Sequence, residues 1–150
     1  MLKFTKKGIY GITILLDLAC NRDEKPRSIK QIAENTQISV KYMEQIFISL
    51  KKTGYLKSFR GPGGGYVLVK SPAEINIGKV LRILEGSLEP VKCISGDGNE
   101  ECTRSNVCIT RLLWQKLFDE ISSVINQTTL DDLQQKFQVW SKNRKSMYYI

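Results

Sequence analysis

Apolar side chains recur every three or four positions between residues 6 and 20, which predicts a first amphipathic helix. Thr5 is suited to cap its N-terminus, and Cys20 is expected to close it as a small buried residue. The apolar stripe consists of Ile9, Ile12, Leu15, Leu16 and Ala19, widened by Ile14 and Leu18. This helix therefore has one face suited to a core.

Two shorter helical segments follow, separated by a turn at residues 35–38. Ser28 with Gln31 three residues later has the form of a capping box, and Ser39 is placed to cap the second segment. The first segment has an apolar face of Ile29, Ile32 and Ala33. In the second, one face holds Val40, Met43, Phe47 and Leu50, and the other holds Lys41, Glu44, Gln45, Ile48 and Lys52. The pair is a helix-turn-helix candidate.

Residues 54–70 combine side chains that alternate in polarity with a glycine-rich turn. Gly54 is expected to stop the helix, residues 55–60 to form a strand, and residues 66–70 to form its return strand. Tyr55, Lys57 and Phe59 would share one side of the first strand. A phosphate-binding loop is excluded because no helix opening with Lys and Ser or Thr follows the glycines. A hairpin directly after a candidate recognition helix, with the turn Arg-Gly-Pro-Gly-Gly-Gly at 60–65, is typical of a wing.

The second half of the chain predicts three more helices. Residues 71–74 are a connector, and a helix at 77–84 is ended by Gly86. Residues 88–107 are irregular and polar, whereas 108–127 form the longest helix, with apolar side chains on more than one stripe. Such a helix is expected to pack on its own domain and on a second copy. Thr129 should begin a short final helix with Leu133, Phe137 and Trp140, before a basic tail at 141–150 that is loose at its start.

Charge narrows the classes of partner. The 150-residue chain carries a net charge of +8, which favours nucleic acid, an acidic protein or an anionic membrane. No apolar run reaches the roughly 20 residues of a membrane span, and the N-terminus lacks the features of a signal peptide, so a cytoplasmic protein is expected.

The sequence has no histidine. Without histidine or paired carboxylates at a recognisable spacing, we expect no enzymatic activity.

Three of the four cysteines, Cys93, Cys102 and Cys108, lie in the irregular segment or at its end. Their spacing is not the Cys-x-x-Cys of a zinc ribbon or a thioredoxin-like site. Three thiolates among short polar residues suit an iron–sulfur cluster, or another metal with one ligand that is not cysteine. Zinc with a carboxylate or water as the fourth ligand and three unligated thiols are the alternatives.

Several of these motifs together resemble the IscR/NsrR/CymR family of bacterial winged-helix regulators. The similar runs are the opening segment 2–12, the segments 38–47 and 50–56, the wing turn ending in Tyr66, and the segment 108–114 that begins with the last cysteine. The last run is similar to the IscR branch, and the resemblance extends to about residue 140. It implies a homodimer on a palindromic operator of double-stranded DNA, with the long helices crossing at the interface.

The resemblance also implies an iron–sulfur cluster whose presence, oxidation or loss alters DNA binding. IscR-like members hold a [2Fe–2S] cluster, whereas NsrR-like members can hold four irons and respond to nitric oxide. By position, Glu44, Gln45, Arg60 and Gly61 match the family's DNA contacts, and the three clustered cysteines match its cluster ligands. We therefore predict a DNA-binding set of Ser39, Lys41, Tyr42, Glu44, Gln45, Arg60 and Gly61, and a metal-binding set of Cys93, Cys102 and Cys108.

The sequence departs from the family's pattern at the fourth cluster ligand. Arg111 stands where IscR-type members have a histidine, and arginine is not a normal metal ligand. The region near Gly8 and Ile9 lacks the carboxylate that NsrR-like members use. The remaining candidates are an exogenous ligand or a side chain among Cys20, Asp97, Glu100 and Glu101. Lys41 replaces the usual serine of the IscR pattern, so a different operator preference is expected.

Taken together, the sequence predicts a mainly α protein with a β-hairpin wing. Its expected organisation is a winged helix-turn-helix domain at 1–86, a cysteine-containing loop at 87–109, a dimerisation helix with a C-terminal helix at 110–140, and a basic tail. The expected function is transcriptional regulation in response to iron–sulfur, redox or nitrosative status. The alternative is a cluster-free repressor that acts with a protein partner in cysteine or sulfur metabolism, as the CymR branch does.

Overall fold

The computed structural model of the protein describes residues 4–23, 25–94, 103–104 and 107–147, with side chains up to residue 144. Within these ranges, the helices are α1 (Lys6–Cys20), α2 (Ile29–Thr36), α3 (Val40–Lys51), α4 (Ile77–Glu85), α5 (Ile109–Gln127) and α6 (Leu130–Met147). Strands β1 (Leu56–Phe59) and β2 (Gly65–Leu68) form an antiparallel hairpin. Short 3-10 turns lie at Pro72–Glu74 and Lys92–Ile94. The predicted class, mainly α with a small hairpin, is confirmed.

Helix α1 lies at the centre of the core and packs against α2, α3, α4 and α6. Ile14 and Leu15 are completely buried, whereas Ile9, which was expected on the apolar stripe, is 52% exposed. The buried face of α3 differs slightly from the predicted one, because Ile46 is fully buried and Val40 only partly so. Ile46 faces inward because it lies one turn after Met43, which is also fully buried, and the two occupy the same face.

The N-terminus of α1 is held by two capping groups. The Lys7 N–H donates to Thr5 Oγ1 at 3.1 Å, as the predicted N-cap requires. Glu85, at the end of α4, accepts from the N–H groups of Thr5 (2.8 Å) and Gly8 (3.1 Å). A side chain at position 8 would collide with the Glu85 carboxylate. Glycine at position 8 therefore lets α4 cap α1.

The hairpin is joined to the helical core through the loop before α2. Arg27 forms an isolated antiparallel bridge with Tyr66, with N···O distances of 3.1 and 2.8 Å. Gly65 lies so close to the Arg27 carbonyl that a Cβ atom would collide with it. Tyr55 was expected on the same side of the first strand as Lys57, but Tyr55 is buried whereas Lys57 is exposed. The reason is that β1 begins only at Leu56, so Tyr55 lies outside the regular alternation, although its carbonyl accepts from Val69 N–H at 2.8 Å.

The prediction for the C-terminal helix is corrected. The final helix is not short, because α6 continues to Met147 and includes most of the segment that was expected to be a loose tail. The segment 130–147 contains neither glycine nor proline, so no residue type interrupts it. The expected connector at 71–74 is a 3-10 turn with its own capping box, in which Ser71 N–H donates to Glu74 Oε2 at 3.0 Å.

Among the described residues, no helix is both long enough and apolar enough to span a bilayer.

Candidate nucleic-acid interface

Helices α2 and α3 form a helix-turn-helix unit. The capping box of α2 is present as predicted: Gln31 N–H donates to Ser28 Oγ at 3.2 Å, and Ser28 N–H donates to Gln31 Oε1 at 2.9 Å. Gln37 adopts a left-handed conformation (φ 58°) and ends α2, and the adjacent Ile38 is buried. The turn is thus fixed on both sides, which sets the angle at which α3 leaves the core.

The outward face of α3 carries the predicted DNA-binding side chains. Met43, Phe47 and Leu50 are at most 1% exposed, so α3 is seated firmly on the core. Lys41, Glu44 and Gln45 are exposed on the opposite side, together with Ile48 and Lys52. In helix-turn-helix proteins, the second helix enters the major groove and its N-terminal residues contact base edges. The structure therefore leaves these side chains free to reach DNA.

The start of α3 contains Ser39 and Tyr42. Ser39 occupies the N-cap position, but its side chain makes no capping hydrogen bond in the described structure, contrary to the prediction that it caps the helix. The Tyr42 ring packs edge-on against Tyr10 of α1, with the ring centroids 5.7 Å apart. Lys6, Tyr10, Ser39 and Tyr42 line a shared surface depression. This places hydroxyl groups and a lysine beside the helix N-terminus, a favourable position for a DNA phosphate.

The hairpin forms a wing beside α3. In its turn, Gly64 N–H donates to the Gly61 carbonyl at 2.9 Å, and Gly61 (φ 92°) and Gly63 (φ 72°) adopt positive φ angles that glycine tolerates best. Arg60 and Gly61 are exposed at the tip. The tip thus presents a guanidinium group next to exposed backbone, which suits insertion between phosphates or into a narrow minor groove.

Wing and recognition helix are coupled through an aromatic stack. Phe47 of α3 and Tyr66 of β2 are parallel within 8°, with ring centroids 3.8 Å apart. Lys51 of α3 also contacts this ring, with its Nζ atom 5.5 Å from the Tyr66 ring centroid. Because Tyr66 also pairs with Arg27, one residue joins the wing to α3 and to the loop before α2. This role of Tyr66 was not predicted, since it depends on contacts between distant parts of the chain.

A buried ion pair supports this junction. Arg27 Nε donates to Asp17 Oδ2 at 3.1 Å, and both side chains are about one-tenth exposed or less. Asp17 Oδ1 accepts from Asn35 Nδ2 at 3.1 Å, which connects α1 to the end of α2. Charges taken out of water require partners of this kind. The sequence did not predict that Arg27 is buried and paired. Its only notable feature in the sequence is its position directly before the Ser28 capping box.

Lysine side chains surround the wing. Lys57 Nζ lies 5.2 Å from the Phe59 ring centroid, and Lys70 Nζ lies 5.6 Å from that of Tyr55. Such cation–π contacts hold an ammonium group near an aromatic face while leaving it accessible to an anion. The wing is therefore cationic beyond its arginine tip, in agreement with the net charge of +8.

The structure describes two of the three clustered cysteines, and Cys102 lies outside the described residues. Cys93 is half-buried in the Lys92–Ile94 turn, which packs against α5, and Cys108 stands at the N-cap of α5. A hydrogen bond with the Thr110 hydroxyl (Sγ···Oγ1, 3.2 Å) and the Arg111 backbone N–H lower the pKa of the Cys108 thiol. The structure thus places Cys93 on a turn that packs against α5 and Cys108 at the N-cap of that helix.

The remaining candidates for a fourth cluster ligand are placed as follows. Asp97, Glu100 and Glu101 lie outside the described residues. Cys20 lies at the end of α1 in a cavity of about 440 Å³ lined by α1, α2 and Phe137 of α6, and burial raises its pKa. Among the described residues, no group of three Cys, Asp or Glu side chains forms a metal site.

The fold and this surface define a winged helix-turn-helix protein. The chain matches the Rrf2 family, described as an iron-dependent transcriptional regulator, over residues 4–136. The HTH-type transcriptional regulator IscR of Pectobacterium carotovorum is 40% identical over 132 residues, which are 88% of this chain and 79% of the relative.

Solved structures agree with this assignment. CymR, described as the global cysteine regulator of B. subtilis, has a TM-score of 0.73 and 38% identity, covering 91% of this chain and 98% of its own. IscR of T. potens has a TM-score of 0.72 and 36% identity, covering 90% of this chain and 88% of its own. The chain therefore belongs to the Rrf2 family and is a transcriptional regulator, as the sequence resemblance predicted, and its relatives are named as regulators rather than enzymes.

Proposed function

We propose that this regulator binds a palindromic DNA operator as a homodimer, with α3 in the major groove and the wing along the adjacent backbone or minor groove. The observation that carries the proposal is the composition of the exposed face of α3. Lys41, Glu44 and Gln45 are exposed on the helix-turn-helix element that usually reads bases, beside a cationic wing. Gln pairs with adenine and a carboxylate accepts from the cytosine amino group, so this face has the chemistry for base reading.

Sequence-specific binding is tested by selection. Purified full-length protein is mixed with double-stranded DNA containing a random central segment, and the bound fraction is sequenced after several rounds at fixed salt. Two related half-sites about one helical turn apart, or a multiple of that distance, are expected. Enrichment of no sequence would contradict the proposal.

The homodimer is supported by the surface of α5. None of its described side chains is fully buried within one chain, and the apolar side chains of Leu112 and Val124 are 67% and 65% exposed. Exposed apolar surface on this scale is typical of a protein interface. A second copy packed on α5 would remove this surface from water and set the spacing between the two copies of α3.

For the sensing role, we propose that Cys93, Cys102 and Cys108 hold an iron–sulfur cluster, with [2Fe–2S] preferred and [4Fe–4S] as the other form. The lowered pKa of Cys108 favours the thiolate, the form that binds iron. Cys93 lies on a turn that packs against the helix that Cys108 begins. A cluster bound there would supply a group sensitive to iron supply, oxidation and nitric oxide. The protein would supply thiolate ligands from the turn that packs against α5 and from the N-cap of α5.

The cluster is tested by anaerobic purification, a visible absorption spectrum, and assays of iron and acid-labile sulfide. At least two irons and two sulfides per chain are expected, and each Cys→Ser variant at the three positions should lose them. A Cys20→Ser variant shows whether Cys20 is the fourth ligand, because the variant then loses iron and sulfide as well. Colourless protein, or zinc in place of iron, would contradict this proposal and leave the DNA-binding proposal intact.

A second candidate is a regulator without a cluster that acts through a protein partner in cysteine or sulfur metabolism. It is favoured by the similarity to CymR and by Arg111 at the position of the expected histidine ligand. Colourless protein that enriches a DNA sequence only after a cell extract is added to the selection would support it. Coloured protein whose DNA binding changes with loss of iron would exclude it.

A further inference from the structure

Helix α3 carries an exposed isoleucine that the described core does not explain. Ile48 is 61% exposed, whereas Ile46 and Phe47 are at most 1% exposed. It is not among the partly buried apolar side chains that pack against the core. A single exposed isoleucine is ordinary on a protein surface. What distinguishes Ile48 is its position on the face that is proposed to meet DNA.

The spacing on α3 places Ile48 inside that face. It lies four residues after Glu44 and four residues before Lys52, so the three side chains share one line along the helix. Glu44 and Lys52 are also exposed. Four residues of helix advance by about 6 Å, the length of about two base steps. A base pair contacted by Ile48 would therefore lie close to the one contacted by Glu44.

The chemistry of an isoleucine in the major groove is restricted. It has neither a hydrogen-bond donor nor an acceptor, so it cannot satisfy a phosphate or a polar base edge. Thymine is the one base that presents a methyl group in the major groove, at C5, and apolar side chains contact it there. Next to cytosine or a purine, the same side chain would exclude water from polar atoms without replacing their hydrogen bonds, which is unfavourable.

We propose that Ile48 is a specificity-determining residue that packs against the C5-methyl group of a thymine in the operator. The inference rests on the proposed binding of α3 in the major groove. It adds an apolar contact to the polar contacts of Glu44 and Gln45, and it requires an A·T pair at a defined position of each half-site.

The methyl group can be removed from DNA without any other change. The duplex selected by wild-type protein is synthesised with deoxyuridine in place of thymine at one position at a time, and binding is measured by fluorescence anisotropy. At one position in each half-site, the substitution should weaken wild-type binding about fourfold, the effect expected for one buried methyl group. Thymines outside the half-sites serve as the DNA control.

Two variants make the assignment specific to Ile48. Ile48→Ser should bind the thymine and uracil duplexes equally, because the apolar partner is gone. Ile48→Val keeps a branched apolar side chain and should retain most of the preference for the methyl group. Ile48 is exposed, so both variants should unfold at the same urea concentration as wild type.

The outcomes separate this inference from the proposed function. If the protein enriches a DNA sequence, but uracil affects wild type and Ile48→Ser equally at every position, the contact is disproved and DNA reading by α3 stands. If no sequence is enriched, the proposed function fails and the inference fails with it. A uracil effect that is present in wild type, absent in Ile48→Ser and retained in Ile48→Val establishes the contact.

Discussion

Individual side chains on α3 differ sharply in exposure, and this difference sets what each substitution should do. Met43 and Phe47 are buried, so their replacement would alter folding, whereas Glu44 and Gln45 are exposed and can be changed with little effect on stability. The sequence period predicted this division correctly except at Ile46, which is buried, and at Val40, which is only partly buried. Because Glu44 and Gln45 are exposed, substitutions there should change DNA recognition and leave the stability of the fold nearly unaltered.

Glu44→Ala should relax the base preference at one position of each half-site. A carboxylate accepts a hydrogen bond from cytosine N4 and repels the acceptor edges of other bases, which amounts to about 1–3 kcal/mol of discrimination. Sequencing of DNA selected by the variant measures the change. Glu34→Ala, which removes an exposed carboxylate from α2, is the comparison and should leave the selected sequence unchanged. Identical selection by wild type and Glu44→Ala would refute the assignment.

Arg60→Ala should weaken binding to all DNA sequences and reduce the salt dependence. One lost phosphate contact lowers the slope of log K against log salt by about one. Anisotropy titrations at several salt concentrations measure both quantities. Arg60→Lys keeps the charge and should retain the slope, while any preference for a narrow minor groove should weaken. An unchanged slope in Arg60→Ala would show that the wing tip does not contact DNA.

At the scale of elements, the wing is held by contacts from Tyr66 to two other parts of the chain. Tyr66 stacks on Phe47 of α3, pairs with Arg27 before α2, and belongs to β2. Glycine at position 65 allows the Arg27 backbone to approach β2. The orientation of the wing relative to the recognition helix therefore depends on a small junction.

Gly65→Ala tests this junction. The added methyl group would collide with the Arg27 carbonyl, so we expect a loss of at least about 1–3 kcal/mol of unfolding free energy, the range for strained backbone positions. Urea unfolding measures it. Gly63→Ala places a side chain at a positive φ angle of 72° but meets no neighbouring atom, so it should cost less. Equal losses in the two variants would show that the close approach to Arg27 is unimportant.

The start of α6 provides a pH-dependent contribution to stability. The Thr129 N–H and hydroxyl donate to Asp132 Oδ2, each at 2.7 Å, and these bonds lower the pKa of Asp132. A carboxylate with a lowered pKa stabilises the folded state above its unfolded pKa of about 3.9, and this stabilisation disappears as the pH falls through the folded value. Asp132→Ala should therefore reduce the urea midpoint at pH 7, and the difference from wild type should shrink by pH 3.

Thr129→Val is the matched change, because it removes the hydroxyl donor to the same carboxylate. Its effect and that of Asp132→Ala should be less than additive in the double variant, since both disrupt one capping arrangement. A difference between Asp132→Ala and wild type that is constant from pH 7 to pH 3 would contradict this assignment.

At the scale of the whole molecule, α5 exposes several apolar side chains among the described residues of one chain. Leu112→Glu should prevent the proposed homodimer, because it places a charge on a side chain that is 67% exposed in one chain. Sedimentation analysis should give the mass of one chain, and affinity for the selected palindrome should fall. Lys116→Glu, at an exposed polar position of the same helix, is the comparison. A Leu112→Glu protein with the wild-type mass would refute an interface through this residue.

The sequence by itself determined the elements whose signals are local. Spacing of apolar residues located α1 to α5, and the Ser28–Gln31 pair and the glycine-rich turn marked the start of α2 and the wing. The end of α6 was missed, because amphipathic patterning weakens after Trp140 even though the following residues can remain helical. The prediction that Ser39 caps α3 was wrong, because a suitable residue at an N-cap position need not make the capping hydrogen bond.

Only the tertiary structure decided how these elements meet. The Phe47–Tyr66 stack, the Arg27–Tyr66 bridge and the Glu85 cap on α1 join residues that lie far apart in the chain, and local spacing carries no information about such pairs. The exposure of Ile48 likewise followed from which side of α3 the core covers. Sequence patterns specify elements through neighbours within a few residues, whereas packing selects which faces are buried and which remain available to a partner.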